Sequence, residues 1–199
     1  MLNSEIFSKE LNYINNEIFR KIIATFLDTV PDYFQEVPAS SSGKYHPFYA
    51  LGRGGLVRHT KAAVKIAEDL LSLAYNKGRF DTFDHDIIIS SLIIHDCYKQ
   101  GADDSGSGHT EVLHPEICAN QFCYFNFIDN FSFDEDLNNL EINEIIQFKL
   151  SVIACVKSHM GQWNADGKLP TPNDSLTYFV HMCDYLASRK YLIVDVEAE

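Results

Sequence analysis

The sequence contains no long hydrophobic run, few cationic residues and no closely paired cysteines. No apolar segment approaches the length of a membrane span and no hydrophobic signal core is found, so we expect no membrane association. The 16 Lys and Arg residues face 28 Asp and Glu residues, giving a net charge of -12. Such an acidic chain is not expected to bind long duplex nucleic acid, which requires many cationic contacts. Nucleotides and short oligonucleotides stay compatible with this charge, because a bound divalent metal can supply positive charge locally.

The five cysteines are odd in number, scattered and outside any C-x-x-C pattern. Most of them fall in apolar, helix-like stretches, where a free cysteine behaves as a small hydrophobic residue. This distribution predicts reduced thiols and a cytoplasmic protein rather than a disulfide-stabilised secreted one. The cysteines are Cys97, Cys118, Cys123, Cys155 and Cys183.

Helical periodicity dominates the rest of the pattern, and no convincing strand or internal repeat is found. A chain of 199 residues with 46% apolar and 22% charged residues is typical of one compact domain. We therefore predict a single all-α domain over 1–199. It would comprise an N-terminal helical segment (1–30), an ordered loop (31–55) and a helical core (56–191). Core helices are predicted over 56–75, 86–99, 115–125, 142–159 and 174–191, with a surface excursion over 129–143 and an aromatic core or partner-binding stretch over 122–133.

The chain is organised around an adjacent pair, His95-Asp96, which follows the apolar run 87–94. An imidazole beside a carboxylate is costly to bury unless something pairs with it. An isolated pair would be interpreted as a helix-end histidine and its partner, but here other histidines and acids at helix ends can converge on it. These residue types suit Zn, Mn or Fe, and the lack of cysteine argues against a closed structural zinc site. The candidate metal ligands are His59, His95, Asp96, His114, His159 and Asp184.

Four short motifs carry a resemblance to a known family. They are Gly54-Gly55-Leu56-Val57-Arg58-His59-Thr60, His95-Asp96-x-x-Lys99, Ser158-His159 and His181-Met182-x-Asp184. In their order and spacing, over residues 54–190, the chain resembles the HD superfamily of metal-dependent phosphohydrolases. The resemblance implies a compact helical HD-type domain with its metal site among the central helices.

The resemblance also implies a role for each ligand. The first metal would be held by His59, His95, Asp96 and Asp184, with Asp96 bridging to a second metal. Members with two metals add two histidines between the His-Asp pair and the last Asp, where His114 and His159 stand. The expected cofactor is therefore a divalent metal, with two ions in the full site. The sequence does not distinguish Mn, Fe, Zn, Ni and Mg.

Within the superfamily, the pattern is most similar to the HD module of certain bacterial 3′-to-5′ exoribonucleases. In those modules a loop histidine, here His46 in His46-Pro47, precedes the Gly-Gly-Leu-x-x-His-Thr helix start. The cyclic-dinucleotide phosphodiesterase branch shares the ligand order, but it usually has a second consecutive histidine where Met160 stands. Cyclic-dinucleotide specificity is therefore not expected.

Asp96 and Lys99 are the predicted catalytic residues. Lys99 lies one turn beyond Asp96 on the same face, where its ammonium can contact a phosphate; a solvated lysine interacting with the helix dipole is the alternative. Further substrate contacts are predicted in the loops. For these, an ordinary turn, solvated arginines and a packed tryptophan are the alternatives. The candidate substrate-binding residues are Ser41, Ser42, Lys44, His46, Arg53, Arg58, Gln162 and Trp163.

The predicted function is metal-dependent hydrolysis of a phosphoester in a nucleotide, a cyclic nucleotide or the 3′ end of a short nucleic acid. Two metals bridged by Asp96 would activate water for in-line attack on phosphorus. Two other functions stay open. A minority of the superfamily uses the same ligands as a di-iron oxygenase, and the chain could be a non-catalytic metal-binding interaction module. The expected partner is a small phosphorylated substrate or a short oligonucleotide, and no oligomeric state is predicted.

Overall fold

The structure, a computed structural model, describes residues 1–44, 46–126, 139–192 and 194–195. Within these ranges the chain consists of α-helices and short 3₁₀ turns without a strand, which confirms the predicted all-α class. None of the described helices is both long and apolar enough to cross a membrane. The helices are α1 (Asn3–Ile6), α2 (Ser8–Leu11), α3 (Glu17–Leu27), α4 (Gly55–Leu71), α5 (Ala74–Lys77), α6 (Thr82–Ile94), α7 (His114–Tyr124), α8 (Asn139–Ser158) and α9 (Ser175–Ala187). The 3₁₀ turns span Asp32–Gln35, Phe48–Ala50 and Gly161–Trp163.

Helix α6 lies at the centre of the fold. Helices α4, α8 and α9 all pack against it, and residues 86–94 are buried without exception. A helix in this position has no solvent-facing side, which explains why its sequence is apolar nearly all round. Helix α7 packs on α8, and α4 packs on α9. The His-Asp pair lies at the C-terminal end of α6, among these packed helices.

The bounds of α6 differ from the predicted helix 86–99. The helix begins earlier because the Asp81 carboxylate caps it, accepting a hydrogen bond from the amide of Asp84 at 2.9 Å. It ends at Ile94, so His95 and Asp96 lie in the turn that follows. The predicted helix 56–75 forms two helices, α4 and α5, and the last helix ends at Ala187 rather than at residue 191. The predictions for 129–143 and 122–133 fall in part outside the described residues.

Asp86 fastens the N-terminal helices to α6. Its buried carboxylate accepts hydrogen bonds from the backbone amides of Asn15 at 2.7 Å and Asn16 at 2.8 Å. The side chain of Asn16 in turn caps α3 by accepting from two of its first amides. These bonds fix the orientation of α3, whose Phe19 stacks on Phe148 of α8 with ring centroids 4.0 Å apart.

His85 is expected to stabilise this junction in a pH-dependent way. Hydrogen bonding to Asp86 and to Glu68 raises the pKa of His85 to about 9. Because the pKa in the folded protein exceeds the ordinary value near 6.5, the stabilisation is complete below that value and is lost as the pH rises through 9. We expect His85→Gln to lower the free energy of unfolding by about 2 kcal/mol at about pH 6, and by much less at about pH 10. Urea denaturation of both proteins across this range measures the difference, and a difference that did not change with pH would contradict the prediction.

The loop 31–55 is tied to the start of α4. Gly54 adopts a left-handed conformation with φ of +70° immediately before the helix, which favours glycine there. The amides of Gly54 and Leu56 donate to the carbonyls of Glu36 and Val37 at 3.2 and 2.9 Å. The two ends of the loop therefore lie against each other, and its Phe48–Ala50 turn packs against α4.

Candidate metal centre

Five segments bring the six predicted ligands together. His59 comes from α4, His95 and Asp96 from the turn after α6, and His114 begins α7. His159 follows the last residue of α8, and Asp184 lies on α9. The four imidazoles and the Asp96 carboxylate are each at most 1% exposed, and the Asp184 side chain is 17% exposed. The helix ends thus converge on one buried cluster of histidines and carboxylates.

One half of the cluster surrounds the Oδ2 atom of Asp96. His59 Nε2 lies 3.7 Å from this oxygen and 3.0 Å from Asp184 Oδ1. His95 Nε2 lies 3.5 Å from each of the same two oxygens. The donor atoms of His59, His95 and Asp184 all lie within 4.8 Å of one another, a spacing compatible with one shared metal ion.

The other half of the cluster surrounds the Oδ1 atom of Asp96. His114 Nε2 lies 2.9 Å from this oxygen and His159 Nε2 lies 3.5 Å from it. The two Nε2 atoms are 3.3 Å apart. The two carboxylate oxygens of Asp96 therefore face two different pairs of histidines.

The backbone determines which nitrogen of three imidazoles faces the centre. The Nδ1–H groups of His95, His114 and His159 donate to carbonyls three residues earlier in the chain, at 2.7, 2.6 and 2.7 Å. When neutral, each of these rings therefore presents the lone pair of Nε2 to the centre, the tautomer that binds metals.

A cation suits this arrangement better than the protein groups alone. Burial lowers the pKa of His114 to about 4, which favours the neutral ring, and its Nε2 lies 2.9 Å from a carboxylate oxygen of Asp96. His95 Nε2 is buried and has no hydrogen-bond partner among the described residues. Inward lone pairs beside carboxylates repel one another unless a positive charge lies between them. The residues present therefore fit divalent metal ions.

Both carboxylates are ionised at neutral pH. Burial alone would raise the pKa of Asp96, but the charges of Lys99 and His95 outweigh it and hold that pKa well below its usual range. Burial likewise opposes ionisation of Asp184, and the hydrogen bond with His59, together with the neighbouring His95 imidazole, holds its pKa well below the usual range. The centre thus carries two buried negative charges.

Lys99 is the cation closest to these charges among the described residues. Its Nζ lies 2.9 Å from both oxygens of Asp96, and its side chain is 12% exposed. The structure therefore places Lys99 in the centre, where its ammonium pairs with the Asp96 carboxylate.

His181 and Gly161 position His159, and Gly161 was missed from the sequence. The Nδ1–H group of His181 donates to the carbonyl of His159 at 2.7 Å. Gly161 has φ of +55°, and a Cβ there would overlap the His181 ring. The close approach of this ring to the backbone after His159 requires glycine, but a single Gly two residues beyond a histidine gives no such signal in the sequence.

Among the predicted substrate-binding residues, His46 contacts the ring of a candidate ligand. His46 lies beside the centre, its ring centroid 5.7 Å from that of His59, and its buried Nδ1 has no hydrogen-bond partner among the described residues. Burial lowers the pKa of His46 to about 4. The Ser41 hydroxyl accepts from the amide of Thr110 at 3.0 Å, which ties its loop to the segment before α7. The exposed residues Ser42, Lys44 and Gln162 lie on the loop surfaces.

The two arginines are not brought to the centre. The Arg58 guanidinium donates to the carbonyls of Tyr49, Leu51 and Arg53, so it holds the loop against α4. Arg53 forms an exposed bidentate pair with Glu36. Both line a surface cleft to which none of the six candidate ligands contributes. Backbone carbonyls and the Glu36 carboxylate therefore accept the arginine hydrogen bonds that were predicted to bind a phosphate.

Comparison with protein-family models, with curated proteins and with solved structures finds no match to this chain. The functional proposal therefore rests on the residues of the centre and on their neighbours.

Proposed function

We propose that this protein is a metal-dependent phosphohydrolase or phosphodiesterase. Its substrate is the phosphoester of a nucleotide, a cyclic nucleotide or the 3′ end of a short nucleic acid. The observation that carries the proposal is the position of Asp96, whose two oxygens face separate histidine pairs within one buried cluster. Such a carboxylate suits two metal ions, and paired divalent ions are typical of phosphoester cleavage.

The six side chains can be divided between two ions. His59, His95, Asp184 and Oδ2 of Asp96 would hold one ion. His114, His159 and Oδ1 of Asp96 would hold the other. Bound divalent metals would supply a nucleophile at neutral pH and Lewis-acid polarisation of a phosphoryl oxygen.

The protein's own groups supply orientation and charge. Backbone carbonyls orient three of the imidazoles, so little rearrangement is needed for metal binding. The Lys99 ammonium lies beside Asp96 at the centre, and we propose that it contacts an anionic phosphoryl oxygen of the substrate. The near-complete burial of the histidine rings limits access of bulk water to the reacting groups.

Metal analysis followed by a phosphoester panel tests this proposal. We expect about two divalent ions per chain, with hydrolysis abolished by chelation and restored by one of Mn, Fe, Zn, Ni or Mg. The panel comprises nucleoside mono-, di- and triphosphates, cyclic nucleotides, and short RNA and DNA. An iron pair that consumed oxygen together with substrate would instead support a di-iron oxygenase. Absence of any turnover, together with unchanged biological function in His95→Ala, would support a non-catalytic module.

A further inference from the structure

A partly exposed aromatic cluster lies next to the metal centre. We call it the aromatic platform, and it consists of Trp163, Tyr185 and Arg189. The rings of Trp163 and Tyr185 are stacked, with centroids 5.5 Å apart and planes inclined by 14°. The Arg189 guanidinium lies 4.2 Å from the Tyr185 centroid and 5.5 Å from that of Trp163. Trp163 is nevertheless 45% exposed, so much of this residue is available to a ligand.

The platform is connected directly to two of the candidate ligands. Tyr185 follows Asp184 on α9, and Trp163 ends the 3₁₀ turn that begins two residues after His159. The centroid of the His181 ring lies 6.4 Å from that of Trp163 and 6.2 Å from that of Tyr185. The Nδ1–H group of His181 also donates to the carbonyl of His159. A ligand stacked on the platform would therefore have its neighbouring groups close to the centre.

The backbone after Trp163 is held in an uncommon conformation. Ala165 and Asp166 have φ of 56° and 55°, in the left-handed region that non-glycine residues rarely adopt. The side chain of Asn164 accepts from the Gly167 amide at 3.1 Å, and Leu169 is buried beneath the loop. Such conformations persist where surrounding contacts enforce them, and they are frequent at ligand sites. The loop thus presents Trp163 in a defined position.

We propose that the aromatic platform binds the nucleobase of the substrate. The centre would then act on nucleoside-containing phosphoesters in preference to base-free sugar phosphates. An aromatic ring beside a guanidinium is the chemistry that stacks bases without reading their sequence. The proposal rests on the phosphoesterase function proposed above, because it assigns the substrate class of that centre.

The single tryptophan of the chain makes this inference directly measurable. Because Trp163 is the only tryptophan, intrinsic tryptophan fluorescence reports on the platform alone. We expect adenosine 5′-monophosphate to quench this fluorescence saturably in the full-length protein, both as purified and after chelation of metals. Ribose 5-phosphate, which carries the same phosphate without a base, should not quench it. Equal quenching by both compounds, or by neither, would overturn the proposal.

Substitutions separate stacking from general packing. Tyr185→Leu and Trp163→Leu should weaken binding of adenosine 5′-monophosphate about tenfold by calorimetry, whereas Trp163→Phe should retain most of the affinity. Tyr75→Leu, which removes a 75% exposed aromatic ring on α5, is the matched control and should bind like the parent. Thermal unfolding identifies any variant that fails to fold, and the two Trp163 variants together keep the test decisive. Equal affinity of Trp163→Leu and the parent would reject the platform.

The proposal for the platform and the proposal for the metal centre can be rejected independently. Saturable quenching without hydrolysis of any phosphoester would retain the platform as a nucleotide site and reject the proposed activity. Hydrolysis with the same KM for nucleotides and ribose phosphates, unchanged in Trp163→Leu, would retain the activity and reject the platform.

Discussion

Asp96→Asn is expected to remove most of the bound divalent metal and to lower phosphoester hydrolysis at least about a thousandfold, equivalent to about 4 kcal/mol of barrier. The reason is that both oxygens of Asp96 face histidine pairs, so one substitution disrupts both halves of the centre. An amide retains the shape of the side chain but loses its negative charge and presents a nitrogen to one pair of histidines. Metal content by mass spectrometry and steady-state rates on the best substrate measure the effect.

A variant that is expected to lose only one of the two metal ions distinguishes loss of metal from loss of folding. His114 lies only on the Oδ1 side of Asp96, so His114→Ala should reduce the bound metal from about two ions to about one. Asp69→Asn, at a surface carboxylate that is 71% exposed, should leave both metal content and activity unchanged. Asp96→Asn protein that retained two ions and full activity would reject the site assignment, and His114→Ala tests the same assignment should Asp96→Asn not fold.

Gly55→Ala is expected to destabilise the protein by about 3 kcal/mol or more, although it adds a single methyl group. A Cβ at Gly55 would collide with the carbonyl oxygen of Ala50 and lie 2.7 Å from its carbon and 3.1 Å from the Cα of Pro38. All of these atoms belong to the backbone, so no side chain can move aside. For a chain of this length, the melting temperature should fall by about 10 °C.

Gly78→Ala is the matched control for this prediction. A Cβ at Gly78 would meet only the carbonyl oxygens of Tyr75 and Ala74, at 3.7 and 3.9 Å, which is ordinary van der Waals contact. Its φ of -85° also suits alanine, so the variant should be neutral or more stable by up to about 1 kcal/mol. Equal melting temperatures for Gly55→Ala and Gly78→Ala would contradict the close approach of the loop and α4.

Helix positions were predictable from the sequence because apolar periodicity records which side of each helix is buried. Helix ends were less predictable. The α6 helix ends at Ile94, before the His-Asp pair, although the predicted helix continued to residue 99. Its start depends on the Asp81 cap, which the capping spacing to Asp84 could have revealed. The position of the turn matters for function, because it places His95 and Asp96 at the centre.

Contacts of loop side chains were the least predictable part of the site. Arg58 resembles a phosphate ligand in the sequence, but in the folded chain its guanidinium meets three backbone carbonyls. Trp163 was a candidate by itself, and its partners are distant in sequence, Tyr185 on α9 and Arg189 just after the end of that helix. Within the predicted helix 174–191 their spacing of four residues would place both on one face, but α9 ends at Ala187, before Arg189.

The sequence by itself determined the all-α class and the residue types available at the centre, because periodicity and donor chemistry are properties of the residues themselves. Only the tertiary structure decided that the two oxygens of Asp96 face different histidine pairs and that backbone carbonyls turn three Nε2 atoms inward. It also decided that Lys99 forms an ion pair with Asp96, whereas Arg58 donates hydrogen bonds to carbonyls of the loop. The physical reason is that hydrogen-bond partners and ring orientations depend on the packing of segments far apart in the chain, which no local pattern specifies.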